Sequence, residues 1–432
     1  MTASAFLISL AALLLEIAAT RLLAVIQWYH YAFMILGLAL LGYGAGGTLL
    51  VLRPGWARTP ATAAWSAAAF GPAAALSYLA LNRVPFDAYR LAVEPRQALY
   101  LGVQFAALGL PFLCAGLCVG ALLAAAPRRA GAIYGASLIG SGAGALAAWV
   151  VMEWAGAPAA AAVAAALGPV AAVLGPAASD PVVVPGSAGA LSPRGTPEPA
   201  GAPAGRYPAR WRMTCAVLAA VLAAPAVRPV SLWEVRPSPY KGLNRLLTFP
   251  DARVMWTRWN AFSRVDVVAS AAIRSAPGMS YLAASAPAPQ LALLLDGETA
   301  GGIVRGGLSE SAFTEALPSS VAYHLRRGPV LVLEAAGGLE VLGALRHGVS
   351  PVTLAESNPL VVEAVRRFGG GLLDDPRVRV VAEGTRSYVR RAPRSFQIIQ
   401  VPMVEGFQVV ASGAYSLGET YRLTVEAVRD YY

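Results

Sequence analysis

The sequence predicts an α-helical transmembrane bundle followed by an α/β domain on a parallel, doubly wound sheet, with a small β-rich subdomain between them. Three observations carry this expectation. A mean hydropathy of +0.55 with only 13% charged residues lies far from the soluble average. Apolar runs long enough to cross a bilayer fill most of the chain up to Leu174. From Val330 onward, short branched apolar runs alternate with helical ones, the signature of βαβ units.

The spans come first. Apolar runs lie at Phe6–Ile26, Tyr31–Leu52, Ala61–Leu81, Ala98–Ala126, Ala130–Met152 and Ala155–Leu174, giving a six-span transmembrane domain over 1–177. The segment 178–212 is rich in Pro, Gly, Ala and Ser and reads as a linker. Residues 213–237 hold a shorter run, Met213–Val227, expected as a seventh span or an interfacial helix. Arg53 and Arg58 follow the second run, and Arg128 and Arg129 follow the fourth, so those loops, the N-terminus and the linker are expected on the cytoplasmic side. The expected location is the cell membrane, multi-pass, with the lipid bilayer as a partner. Gly42-x-x-x-Gly46 and Gly140-x-x-x-Gly144 permit close helix approach. They read as packing inside one bundle, and a homo-oligomer stays open. Glu16, inside the first run, is an acid where one is costly, and a structural partner on another helix is its favoured reading over an ion pathway.

The composition excludes several classes. Of the 34 Lys and Arg residues behind the net charge of +10, only Lys241 is lysine. The arginines are scattered without a recognition motif, so no nucleic acid is expected. Cys114, Cys118 and Cys215 sit in apolar segments with no C-x-x-C, and His30, His324 and His347 are dispersed, so no metal and no disulfide framework are expected. The first apolar run is too long for a signal-peptide core and lacks a basic leader.

The soluble half divides at about residue 328. Over 238–327, Val265–Ser270 and Leu291–Asp296 are short and rich in branched residues, separated by Pro and Gly, which suits a small β subdomain. Over 328–432 the expected order is strand Val330–Leu333, helix Leu339–Arg346, strand Val352–Glu356, helix Pro359–Phe368, strand Val378–Ala382, helix Thr385–Arg391 and strand Ile398–Val401. Three strand ends carry the site signal: Gly337 and Gly338 after the first, Glu356 at the second, Glu383-Gly384 after the third. Glu356 follows Gly337 by nineteen residues, the spacing at which an acid takes ribose hydroxyls while glycines let the backbone approach a nucleoside.

These residues, with several longer stretches, resemble the spermidine synthase family (polyamine aminopropyltransferases), in particular its membrane-integrated members. Leu15-Glu16-Ile17 with Arg21, Pro111-Phe112-Leu113-Cys114-Ala115-Gly116 and Tyr134-Gly135-Ala136-Ser137-Leu138-Ile139-Gly140 are similar to the family's span signatures. Ser238-Pro239-Tyr240-Lys241-Gly242-Leu243, Trp259-Asn260-Ala261-Phe262-Ser263-Arg264-Val265-Asp266, Leu295-Asp296-Gly297 and Ser416-Leu417-Gly418-Glu419-Thr420-Tyr421 are similar in the soluble half.

The resemblance implies a methyltransferase-type Rossmann-like domain that takes decarboxylated S-adenosylmethionine or S-adenosylmethionine as cosubstrate, and a small polyamine-like acceptor. It implies that Glu356 binds ribose, that Glu383-Gly384 lies on the adenine side, that Gly337 and Gly338 form the cofactor turn, and that Asp296 belongs to the substrate site. Glu405 would be catalytic, taking the proton of the attacking amine, which is not nucleophilic while protonated. The chain departs from the family pattern at Gly337, where the family has Asp, at Ala300, where it has Gln, and at Pro402, where it has an acid. The expected activity is therefore transfer of an aminopropyl or related alkyl group. The alternatives are an eroded, non-enzymatic membrane protein that binds or transports a small cation, and a methyltransferase on the same fold. The sheet is expected to be incomplete at Tyr432, within the helix after the fourth strand.

Overall fold

The computed structural model describes residues 1–27, 29–57, 59–175, 207–228, 230–280, 282–283, 286–392, 396–402 and 424–432. They form two compact units, Met1–Arg236 and Pro237–Tyr432.

The N-terminal unit is helical: α1 (Thr2–Ile26), α2 (Met34–Leu52), α3 (Pro60–Arg83), α4 (Arg96–Ala125), α5 (Ala130–Val173) and α6 (Ala209–Val227). Among the described residues, six helices are long and apolar enough to cross a membrane. Their apolar residues are not confined to one stripe. Leu40, Leu41, Val51 and Leu146 are 66%, 66%, 77% and 70% exposed, and a helix apolar on every side suits a hydrocarbon surround.

Two boundaries differ from the sequence expectation. The fifth and sixth runs belong to one 44-residue helical segment, α5, interrupted at Gly156, whose φ of 80° and ψ of 173° leave the helical region. A glycine tolerates that conformation, and hydropathy, which drops little there, marks it only weakly. The last apolar run begins at Ala209 rather than Met213. Arg210 and Arg212 lower its hydropathy but are good helix formers, so the helix reaches 19 residues.

The paired glycines work inside this unit. A Cβ at Gly140 would meet the Phe6 carbonyl oxygen at 2.2 Å, and one at Gly144 the Leu10 oxygen at 2.5 Å. Gly42 and Gly46 face α4 in the same way, against Gly109 and Leu117. Bare backbone thus lets α1 lie on α5 and α2 on α4. Some polar side chains in the apolar interior find partners far along the chain. The Ser9 and Ser137 hydroxyls are 2.7 Å apart, and Tyr78 donates to the Trp233 carbonyl at 2.7 Å while stacking on its ring at 4.1 Å. Glu16 is half-buried on α1.

The C-terminal unit begins with α7 (Gly242–Leu246) and an antiparallel sheet of β1 (Arg253–Trp259), β2 (Arg264–Ala269), β3 (Gln290–Leu295) and β4 (Glu298–Val304), in the order β1-β2-β3-β4. After α8 (Ser320–Leu325) comes the alternating part: β5 (Val330–Leu333), α9 (Leu339–Arg346), β6 (Val352–Ala355), α10 (Pro359–Phe368), β7 (Val378–Val381), α11 (Thr385–Arg391) and β8 (Ile398–Gln400), with α12 (Val425–Tyr431) last. The second sheet is parallel throughout, in the order β7-β6-β5-β8. β5 is buried on both faces. Val330 and Val332 join Val341, Leu345, Val361 and Val365 of α9 and α10. Leu331 and Leu333 pack with Tyr388 of α11. Helices on both faces of a parallel sheet define the doubly wound arrangement.

Candidate functional site

The turn after β5 is built on unusual backbone. Glu334, Ala336, Gly337 and Gly338 have φ of 75°, 41°, 89° and 94°. At two of these four positions the side chain is not hydrogen, and left-handed backbone costs an L-residue about 1–2 kcal/mol, a strain that the surroundings must hold in place. Two contacts hold it. A Cβ at Gly301 of β4 would meet the Ala336 oxygen at 1.8 Å, and one at Gly337 would meet the Gly302 oxygen at 2.5 Å, so the turn lies backbone to backbone against the antiparallel sheet. The Ala335 N–H also donates to Glu356 Oε2 at 3.0 Å. Gly338 is close-packed for another reason: a Cβ there would meet Leu372 Cδ2 at 2.7 Å and Val365 Cγ1 at 3.3 Å.

Glu356 follows β6 and is 5% exposed. Its Oε1 accepts from the Asn358 N–H at 2.8 Å. Asn358 caps α10 by accepting from the Leu360 N–H at 3.1 Å, and it reaches the loop between β1 and β2. Asn260 Nδ2 donates to its Oδ1 at 2.8 Å, and its own Nδ2 donates to Ser263 Oγ at 2.8 Å. The stretch Trp259–Asp266 thereby gains a structural account. Its buried Asn260 and Ser263 hold the residue that, with Glu356, fixes the turn after β5. Asp266, fully buried, accepts from Thr257 at 2.6 Å and pairs with Arg264 at 2.9 Å.

Asp296 and Gly297 form the β3–β4 hairpin turn. Their φ values of 50° and 78° suit a two-residue Asp-Gly turn joining Leu295 to its partner Glu298. Asp296 Oδ1 accepts from the Arg264 N–H at 2.8 Å. Beside the turn, buried Lys241 donates to the Asp296 carbonyl at 3.1 Å and pairs with Glu298 at 3.3 Å. Burial pushes the Lys241 amine below its ordinary range, and the Glu298 carboxylate partly offsets this. At the tip of β7, Glu383 pairs with Arg391 of α11. Gly384 precedes α11, with nothing closer to a Cβ than Ser387 Oγ at 3.9 Å. Glu405 lies outside the described residues, as does Ser416–Tyr421.

A cavity of about 280 Å³ opens between the tips of β5 and β8, lined by Ala335 and Ala336 on one side and by Gln400, Val401 and Pro402 on the other. Connections from β5 run toward β6 and β7, while β8 lies on its other flank. This is the point where strand order reverses, and open α/β sheets bind ligands there. Gly337, Gly338, Glu356, Glu383, Gly384 and Asp296 are not among its lining residues; Ala300 and Pro402 are.

Four polar lining residues were not singled out from sequence: Ser275, Ser319, Glu340 and Gln400. Gln400 carried a usable signal, a polar residue ending an apolar strand. Glu340 lies in the first turn of α9, where an acid is common and carries no site signal. Burial pushes the Glu340 carboxyl above its ordinary range, with a hydrogen bond from Ser319 opposing the shift. Gln400 Nε2 donates to the Ser319 carbonyl at 3.1 Å. Among the described residues no group of three or more His, Cys, Asp and Glu is placed to hold a metal ion.

No protein-family model and no curated protein matches the chain. Among solved structures, it is similar to a spermidine synthase in complex with the transition-state analogue AdoDATO, at 19% identity and a TM-score of 0.25 over 35% of this chain and 48% of that one. It is similar also to the spermidine synthase from Thermotoga maritima, at 21% identity and a TM-score of 0.26 over 35% of this chain and 47% of that one. The chain thus spans about half the length of the solved structures it matches.

Proposed function

We propose that the protein is a membrane-bound transferase whose C-terminal unit moves an aminopropyl or related alkyl group from an adenosyl cosubstrate to an amine. The observation that carries this reading is the cavity at the β5/β8 switch point, with an acid-tipped β6 beside it. Strain in the β5 turn supports it, since left-handed non-glycine residues concentrate where a site demands a fixed backbone.

The residues suit a nucleoside in kind. Glu356 is a buried carboxylate at the tip of β6 whose oxygens accept the N–H groups of Ala335 and Asn358. Glu356 would hold ribose hydroxyls, Glu383 would sit toward the base, and the amine would occupy the cavity. When bound, an adenosyl sulfonium supplies an electrophilic carbon and a neutral thioether leaving group. The amine nitrogen forms the new N–C bond, the C–S bond breaks with its electron pair going to sulfur, and Glu405 accepts the proton.

A second reading has its own support. The Asp296 carboxylate accepts a main-chain N–H in a hairpin turn, and both Glu356 oxygens accept main-chain N–H groups. Those uses account for these acids without catalysis, as expected of an eroded, non-enzymatic C-terminal unit in a membrane protein that binds or transports a small cation. The deciding experiment is mass spectrometry and calorimetry on the full chain in detergent. The transferase reading expects a co-purifying adenosyl compound, or affinity for S-adenosylmethionine, its decarboxylated form or methylthioadenosine. No binding of any of the three up to about 1 mM, or about −4 kcal/mol, leaves only the binding-protein reading.

A further inference from the structure

Resting on the reading of the β5/β8 cavity as a ligand site, we infer that it takes a singly charged primary amine with a short apolar body, and that Glu340 receives its ammonium group. The lining fixes the charge. Glu340 is the one ionisable residue among the lining residues described, and the other polar side chains are Ser275, Ser319 and Gln400. The remaining wall is apolar, with Leu317, Pro318 and Leu339 among its larger groups. An ammonium placed on Glu340 is paired, whereas a second ammonium on the same molecule would be buried against carbon at a heavy desolvation cost.

Glu340 is set up to receive a donor. Its Oε2 is buried and meets no hydrogen-bond partner among the described residues, and a buried acceptor left unmatched is destabilising. The group is held rather than mobile. Ser319 hydrogen-bonds the carboxyl, Gln400 fixes the Ser319 carbonyl, and Tyr323 donates to the Glu340 main-chain oxygen at 3.2 Å. An ammonium has three donors, enough to pair with the Glu340 carboxylate and reach the amide oxygen of Gln400 or a serine hydroxyl. The cavity of about 280 Å³ falls just below the usual range of about 300–1,000 Å³ for small-molecule sites, so the body is a short chain and not a ring system with substituents. Because burial holds the carboxyl above its ordinary pKa, pairing with an ammonium lowers that pKa and releases a proton on binding.

The test is calorimetry on the full chain in detergent with butylamine, 1,4-diaminobutane and 1-butanol, repeated in two buffers of different ionisation heat. Butylamine is expected to bind at least tenfold tighter than the diamine or the alcohol, with proton release that shrinks as pH rises. Glu340→Gln is expected to cut butylamine affinity at least tenfold while leaving that for butanol unchanged. Equal affinity for amine and alcohol, tighter binding of the diamine, no binding of any amine, or full butylamine affinity in Glu340→Gln each overturns the inference. Should that variant not fold, the wild-type ligand series decides alone. Adenosyl affinity is measured in parallel. Amine selectivity without adenosyl binding sinks the transferase reading and leaves this one standing; adenosyl binding without amine selectivity does the reverse.

Discussion

Asn260 and Asn358, 98 positions apart in the chain, share a buried side-chain hydrogen bond of 2.8 Å. One end belongs to the β1–β2 loop of the antiparallel sheet, and the other caps α10 at the tip of the parallel sheet. Asn358 also donates to Ser263 and accepts from the Leu360 N–H. Asn358→Ala therefore leaves a donor on Asn260, the Ser263 hydroxyl and the Leu360 N–H without this partner. Unmatched buried polar groups cost about 1–3 kcal/mol each, and networks lose more than one bond at a time. We expect the C-terminal unit to lose about 2–4 kcal/mol, read as faster hydrogen exchange of the β5 and β6 amides in the full chain. Unchanged protection would show that the link is dispensable.

Glu356 joins the same system from the other side, because its two oxygens hold the N–H groups of Ala335 and Asn358. Glu356→Gln keeps the shape but turns one acceptor into a donor facing an N–H. We expect a stability loss of about 1–3 kcal/mol together with loss of adenosyl binding. The two effects separate in a titration: if Glu356→Gln is destabilised yet binds methylthioadenosine as the wild type does, the acid serves the turn and not a ribose. Glu356→Ala makes the same comparison with a larger stability penalty.

The parallel sheet was legible because its central strands, β5 and β6, are short apolar runs whose burial matches their composition. Val330–Leu333 and Val352–Ala355 are buried at every position. β4 was not legible. Its Gly301 and Gly302 weaken any strand signal, and Gly301 is there because the Ala336 carbonyl approaches too closely for a side chain. That reason exists only once the two sheets are packed together. The same holds at the site. Asp296, Gly337 and Gly338 stood out as chemistry-bearing types, and the structure gives each a conformational or packing use. Glu340 and Gln400 looked ordinary until the fold brought α9 and β8 to one cavity.

Glu340 also sets a pH dependence. Its folded-state pKa lies above the ordinary 4.5, so its contribution to stability is fully present below about pH 4.5 and is lost as pH rises through the folded value. Above that value the unit carries a buried, partly unmatched carboxylate. Glu340→Gln, which cannot ionise, should raise the melting temperature of the C-terminal unit at pH 7 to 8, with the gain shrinking toward zero near pH 4. A variant equally stabilised at both ends of that range would mean that the carboxyl's charge is not what the fold resists.

Helix packing in the N-terminal unit offers a test with a built-in control on one helix. Gly140 and Gly142 are two residues apart on α5 and differ in what a methyl group would meet. At Gly140 a Cβ lies 2.2 Å from the Phe6 carbonyl oxygen, and at Gly142 nothing lies within 4 Å. Intrinsic propensity favours alanine over glycine by about 1 kcal/mol at either position. Gly142→Ala should therefore be neutral or stabilising by up to that amount. Gly140→Ala must push α1 away from α5 along their length, and overpacking of this kind costs about 1–3 kcal/mol, so the net effect should be destabilising. Thermal unfolding of the two variants in the same detergent gives the comparison. Similar melting temperatures would mean that α1 does not rest on the bare backbone of α5.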